Sequence, residues 1–147
     1  MHKYMKEAIK LAQYAASIGE IPVGAVVVRR VTGEIVGRGY NRRETDKNAL
    51  AHAEVMAIND ACKNLGGWRL PGCDLYVTLE PCPMCCGAII NSRIERVIYG
   101  ADDTKAGSAM SVQNMFSLPY NHRPEIFPGI MAEECAGLLP AFFKNIR

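Results

Sequence analysis

The sequence predicts an α/β layer fold. Apolar residues recur at helical period near the N-terminus, in the middle and at the C-terminus, and short β-branched runs lie between them. Read in order, the patterns give helix, hairpin, helix, strand, helix, strand, a sequence of elements that buries a sheet between layers of helices.

Residues 3–17 place Tyr4, Met5, Ala8, Ile9, Leu11, Ala12, Ala15 and Ala16 among lysines and Glu7, which predicts an amphipathic helix ending at Gly19. The β-branched run 23–31 leads through Thr32, Gly33 and Glu34 into 35–40, an antiparallel hairpin. Residues 41–50 are polar and charged, a loop in which Asp46 or Asn48 is placed to cap the next helix. That helix spans 51–65, is rich in alanine with Met56, Ile58 and Cys62, and stops at Gly66 and Gly67. A strand over 74–78, a helix over 82–92 and a strand over 95–99 follow, with right-handed helical crossovers between the later strands. Periodicity fades after Gly100. The stretch 101–124 is rich in Asp, Ser, Asn, Gly and Pro, with at most a short helix around 112–115, and loops of that length in compact domains are usually functional or disordered. A short strand over 125–127 and an amphipathic helix over 130–146, interrupted near Pro140, complete the chain.

At 147 residues the chain has the length of one domain, with no internal repeat, low-complexity segment or linker, so 1–147 is read as a single unit. A 49% hydrophobic and 22% charged composition is that of an ordinary globular protein. A net charge of +2 excludes a broadly basic surface or tail and leaves room for a local basic patch. The N-terminus carries no long apolar run after its charges and no small-residue cleavage site, and no stretch approaches the roughly 18 apolar residues of a membrane span. The expected compartment is therefore the cytoplasm, where the six cysteines point to metal more than to disulfides.

The chemistry centres on residues 78–91, where a strand turns through Pro81 and Pro83 into a helix. Cys82 and Cys85 lie in its first turn, on one face, where orphan N–H groups and the helix dipole favour thiolate. That spacing alone suits a redox dithiol, a structural zinc or half of a catalytic one. His52, near the start of the preceding helix, supplies a third ligand and leaves one coordination position open, as in catalytic zinc sites. Glu54 follows His52 by two, which on a regular helix turns it roughly 200° away. Both still face one pocket if they lie in the first turn, where Glu54 stands beside the metal as a general acid and base. Two thiolates offset the charge of zinc and acidify bound water less than three imidazoles do, so such a site needs a nearby carboxylate. His-x-Glu followed by Pro-Cys-x-x-Cys is the general signature of zinc-dependent nucleobase deaminases, in which water attacks the amino-bearing ring carbon and the glutamate moves the protons. The other cysteines, Cys62, Cys73, Cys86 and Cys135, read as small buried hydrophobes.

The chain also resembles the bacterial tRNA-specific adenosine deaminases over nearly its whole length. The resemblance rests on Ile21-Pro22-Val23-Gly24-Ala25-Val26, Gly39-Tyr40-Asn41-Arg42, His52-Ala53-Glu54, the run 78–85, Ser92-Arg93-Ile94, the run 99–107, Asn121-His122-Arg123 and the run 134–139. It implies a three-layer α/β/α cytidine deaminase-like fold with a mixed five-stranded sheet. It implies one zinc ion per subunit at His52, Cys82 and Cys85, with Glu54 as proton shuttle. Asn41 would bond the purine edge, Ile21, Val23 and the Ala53 backbone would shape the base pocket, and Asp103 and Lys105 would meet the flanking nucleotides. The implied substrate is the wobble adenosine of a tRNA anticodon stem-loop, bound across a homodimer, with no nucleotide cofactor and no membrane partner. Cys86 departs from the alanine more usual there, and Tyr40 stands where another aromatic is common.

Two other functions compete with this one. Deamination of a free base or nucleotide, guanine or cytosine, uses the same chemistry on a different substrate. A zinc-stabilised RNA-binding module without activity requires a fourth protein ligand. By default Asn41 is a turn residue, Asp103 and Lys105 a solvated loop, and Phe142 and Phe143 either core or RNA-facing.

Overall fold

The computed structural model describes residues 1–146. Strands β1 (Gly24–Arg29), β2 (Glu34–Tyr40), β3 (Cys73–Leu79), β4 (Arg96–Ala101) and β5 (Glu125–Phe127) form one sheet in the order β2-β1-β3-β4-β5. β1 pairs antiparallel with both β2 and β3, whereas β3, β4 and β5 run parallel. The mixed sheet and its N-terminal hairpin are those the sequence predicts. The helices are α1 (His2–Ser17), α2 (Arg43–Asp46), α3 (Ala53–Leu65), α4 (Pro83–Ser92), α5 (Ala132–Ala136) and α6 (Leu138–Asn145).

β1 shows why its valine run reads as continuous rather than alternating: both of its faces are covered. Ala25 and Val27 join the core under α3 and α4, with Ala57, Ala61, Cys86 and Ile89. Val26 and Val28 join the opposite core, with Met5 and Ala8 of α1 and with Cys135 of α5. Each large aliphatic side chain so buried stabilises the fold by about 1.5–3 kcal/mol.

Close approach of α3 to the hairpin positions the site. A Cβ on Gly37 would meet the Ala57 carbonyl oxygen at 2.3 Å, and one on Gly39 would meet the Ala53 carbonyl oxygen at 2.2 Å. Only glycine at these two positions lets the first turns of α3 lie directly on β2.

Several local expectations are corrected. The loop 41–50 contains α2, held by the Arg42 guanidinium, which donates to both carboxylate oxygens of Asp46. The buried Glu20 carboxylate accepts from the backbone N–H of Glu44 and Thr45 and from the Thr45 hydroxyl, so a residue more than 20 positions upstream satisfies the first turn of this helix. Asp46 is thereby spent on Arg42 and Asn48 accepts from the Leu50 N–H, so neither caps α3. Ala51 and His52 lie outside that helix, with His52 in extended conformation as its N-cap. The short helix expected near 112–115 is a single 3₁₀ turn over Met115–Ser117, shifted because the Asn114 side chain accepts from the Phe116 N–H and starts the turn there. The C-terminal helix breaks at Gly137, between α5 and α6, and not at Pro140. Pro140 falls in the first turn of α6, where a missing N–H costs no intrahelical bond. Cys73, Cys86 and Cys135 are buried as expected, but Cys62 is only partly buried, its thiol donating to the Trp68 carbonyl.

Candidate active site

The N-termini of α3 and α4 converge beside the C-terminal ends of the parallel strands, the place where open α/β sheets bind ligands. His52 is the N-cap of α3 and Cys82 the N-cap of α4, both in extended conformation and both without a side-chain capping bond. Pro83 occupies the first position of α4, where its fixed φ favours the helix, and Cys85 lies in the same first turn. Free of capping duty, the imidazole turns to the sulfurs: His52 Nδ1 is 3.6 Å from Cys82 Sγ and 3.7 Å from Cys85 Sγ. Because His52 is a cap with extended backbone, the regular helical rotation does not separate it from Glu54. The Glu54 side chain, 3% exposed, lies in the same pocket and reaches the Cys85 thiol.

Charge at this point is finely divided. A hydrogen bond from the Cys85 thiol brings Cys82 down to about 4, against the burial that opposes it and with help from His52. The same contact, then burial, pushes Cys85 upward. The hydrogen bond with Cys82 also raises His52. Burial pushes the Glu54 carboxyl up to about 7. The ligand atoms of His52, Cys82 and Cys85 all lie within 4.8 Å of one another. One imidazole and two sulfurs form a soft donor set that suits zinc. Among the described residues no fourth His, Cys, Asp or Glu joins the group, and the Cys86 thiol is turned away to the Pro81 carbonyl. The closed site that a purely structural zinc requires is therefore absent among the described residues.

A cavity of about 470 Å³ opens over these groups. It is lined by Ile21, Val23, Asn41, His52, Ala53, Glu54, Cys82, Asp103 and Lys105, so every sequence-predicted site residue except Cys85 faces it. Cys85 is fully buried behind the wall. The Asn41 carboxamide is pinned at both ends, Nδ2 donating to the Ile21 carbonyl and Oδ1 accepting from the Arg43 N–H. One hydrogen on Nδ2 and one lone pair on Oδ1 remain for a ligand. The two C-terminal phenylalanines divide: Phe142 is 8% exposed and belongs to the core, whereas Phe143 is 45% exposed and lines the cavity rim with Leu139. Arg43, Leu79, Glu80, Asp102, Thr104 and Ala106 also line the cavity and were not singled out from sequence. For Leu139 the available signal was its spacing of four from Phe143 on one helix. For Glu80 the signal was an acidic residue between a strand and the Pro-Cys turn.

Comparison with known proteins follows the same lines. Residues 1–101 match the family model of the cytidine and deoxycytidylate deaminase zinc-binding region. The tRNA-specific adenosine deaminase of Bacillus subtilis (strain 168) is 51% identical over 145 residues, covering 98% of this chain and 89% of that protein. The chain belongs to the tRNA-specific adenosine deaminase family. Within that family, a structure solved in work on A-to-I editing by tRNA:A34 deaminases at the wobble position of transfer RNA superposes with a TM-score of 0.90 at 42% identity, over 95% of this chain and all of that one (100%). A guanine deaminase from Bacillus subtilis is also similar, at 37% identity over 97% of this chain and 92% of its own, but with a TM-score of 0.65. Both the identity and the superposition favour the tRNA adenosine deaminases over the guanine deaminase.

Proposed function

We propose that this protein hydrolytically deaminates adenosine to inosine at the wobble position of a tRNA anticodon and releases ammonia. The observation that carries the reading is a buried carboxyl, Glu54, set in the cavity against an open His/Cys/Cys donor set. A carboxyl held near neutrality both accepts and returns a proton in one cycle.

In this reading His52, Cys82 and Cys85 hold one zinc ion per subunit. Their being the single group of this kind among the described residues supports that count. Zinc supplies the Lewis acidity that makes water nucleophilic near neutral pH. Glu54 takes the water's proton and delivers it to the ring nitrogen beside the amino-bearing carbon. The water oxygen bonds to that carbon, and Glu54 then takes the remaining proton of the added hydroxyl and passes it to the amino group, so that the C–N bond breaks as ammonia leaves and a carbonyl remains. Asn41 uses its spare hydrogen and lone pair on the purine edge, and Ile21, Val23 and the Ala53 backbone form the walls that hold the ring. Asp103 and Lys105, on the rim, meet the flanking nucleotides. A base in an anticodon loop is only partly stacked, so its transfer into the cavity costs little. The homodimer is supported by three exposed apolar side chains within one short stretch of the chain, Met110, Val112 and Leu118. No helix of the described residues is long and apolar enough to cross a membrane, and a cytoplasmic enzyme is the reading that matches a tRNA substrate.

Inosine mapping in total tRNA after incubation with the protein tests the proposal, run beside ammonia release from guanine, cytosine and an anticodon stem-loop. Inosine at the wobble position and ammonia from the stem-loop alone are the expected results. Ammonia from guanine or cytosine without tRNA inosine would sink the reading.

A further inference from the structure

The irregular stretch after β4 carries Asp103 and Lys105 to the cavity with no helix or strand to hold it. Its anchor is a carboxylate on another element. Glu80, 2% exposed and immediately after β3, accepts from the Asp103 N–H at 3.1 Å, the Ala109 N–H at 3.2 Å, the Met110 N–H at 2.8 Å and the Ser111 N–H at 2.9 Å, and from the Ser111 hydroxyl. Every one of these donors belongs to the 103–111 segment. The loop is shaped to enclose this group: a Cβ on Gly107 would meet the Glu80 carboxylate and the Asp103 carbonyl oxygen at 2.4 Å, so no larger residue fits. A further bond, Ser108 N–H to the Pro81 carbonyl at 2.8 Å, fixes the loop to the residue before Cys82. Inside the loop, Asp103 Oδ1 accepts from the Lys105 and Ala106 N–H groups, which sets the direction of both rim side chains.

We infer that Glu80 is a positioning residue that holds the Asp103–Lys105 rim at a fixed distance from the Cys82 turn, and so sets how the nucleotides beside the target base are gripped. The inference rests on the reading of Asp103 and Lys105 as RNA-facing. Glu80 lies two residues before Cys82, and the loop it gathers supplies the opposite wall of the same cavity. One ionised side chain thus ties the turn that carries the donor set to the segment that meets the flanking nucleotides. Its oxygens are saturated by loop donors, which leaves it no part in proton transfer.

Glu80→Gln would set amide hydrogens against backbone N–H groups and release the loop. The zinc-loaded variant is expected to keep its metal content and circular dichroism. Its kcat/KM on an anticodon stem-loop should fall about 10- to 100-fold, carried by KM, as for a misplacement of about 1 Å away from the chemistry. Ser111→Ala removes one donor from the exposed side and should raise KM in the same direction by a smaller factor, so it decides the matter if Glu80→Gln does not fold. Asp103→Ala and Lys105→Ala test the underlying reading: an unchanged KM in both removes the RNA contact itself. If those two variants raise KM while Glu80→Gln, or failing it Ser111→Ala, keeps the wild-type KM, the positioning role of Glu80 is overturned. Loss of zinc from Glu80→Gln with a wild-type KM in Ser111→Ala overturns it as well and assigns Glu80 to the metal turn.

Discussion

Replacing Glu54 by Gln changes the chemistry at the centre of the cavity while keeping the shape of the side chain. Four acids line the cavity, Glu54, Glu80, Asp102 and Asp103, and three of them cannot substitute for the first. Glu80 is saturated by loop donors, Asp103 has one oxygen committed to two backbone N–H groups, and Asp102 is exposed to solvent. Glu54 alone is buried against the donor set. A positioned acid or base is worth about 10²–10⁴ in rate, and in the proposed mechanism Glu54 serves both the ring protonation and the loss of ammonia. The expected loss in single-turnover rate is therefore at least about 10⁴, or roughly 5.5 kcal/mol of barrier. Zinc content should be unchanged, because Glu54 is not in the ligand group. Stability should not fall either, since the amide keeps the volume and removes a buried acid. The assay is single-turnover inosine formation on an anticodon stem-loop with metal analysis of the same sample. A variant that retains zinc and forms inosine within about tenfold of the wild-type rate would refute Glu54 as the proton carrier.

Cys85→Ala should lose both zinc and turnover, unlike Glu54→Gln, and metal analysis after gel filtration separates the two behaviours; zinc retained by Cys85→Ala would contradict the ligand set. Gly39→Ala drives a Cβ against the Ala53 carbonyl and the Ala57 N–H, backbone atoms that cannot yield, so it should destabilise by about 1–3 kcal/mol in urea unfolding and weaken zinc retention through the displaced start of α3. Glu20 gives a pH signature. Burial raises its carboxyl, but the Thr45 hydroxyl and the Thr45 and Glu44 N–H groups outweigh it, so the folded value lies below the ordinary one. The folded state then holds fewer protons than the unfolded one, and the contribution is complete above the unfolded value of about 4.3 and lost as pH falls through the folded value. Glu20→Gln should accordingly be less stable than wild type near neutrality, with the gap closing in acid; a pH-independent gap in urea titrations would count against the linkage.

What could be read from the sequence, and what could not, divides on the range of the interaction. The donor set was legible because His-x-Glu and Pro-Cys-x-x-Cys are local patterns whose spacing reflects two helix starts, and the sheet was legible because β1 is apolar on both faces. The anchoring roles of Glu20 and Glu80 were not, since each carboxylate serves backbone N–H groups more than 20 positions away and no periodicity marks such a pairing. The misplaced break at Pro140 has a simpler cause. A proline interrupts a helix only where its N–H and the preceding turn are needed, and Gly137 had already restarted the helix three residues earlier.

Helix α3 starts without a side-chain capping bond. Helix starts ordinarily employ an N-cap oxygen to satisfy their orphan N–H groups, and the polar loop 41–50 offered two candidates. Neither is used, and α4 likewise begins on a residue that supplies no capping oxygen. Both helices thus direct the positive ends of their dipoles at one point, a field that favours negative charge there. It lowers the cost of holding sulfur as thiolate, and two thiolates in turn reduce the net charge that a zinc ion would present to its neighbours. The absence of oxygen caps therefore leaves two helix dipoles free to act on the donor set.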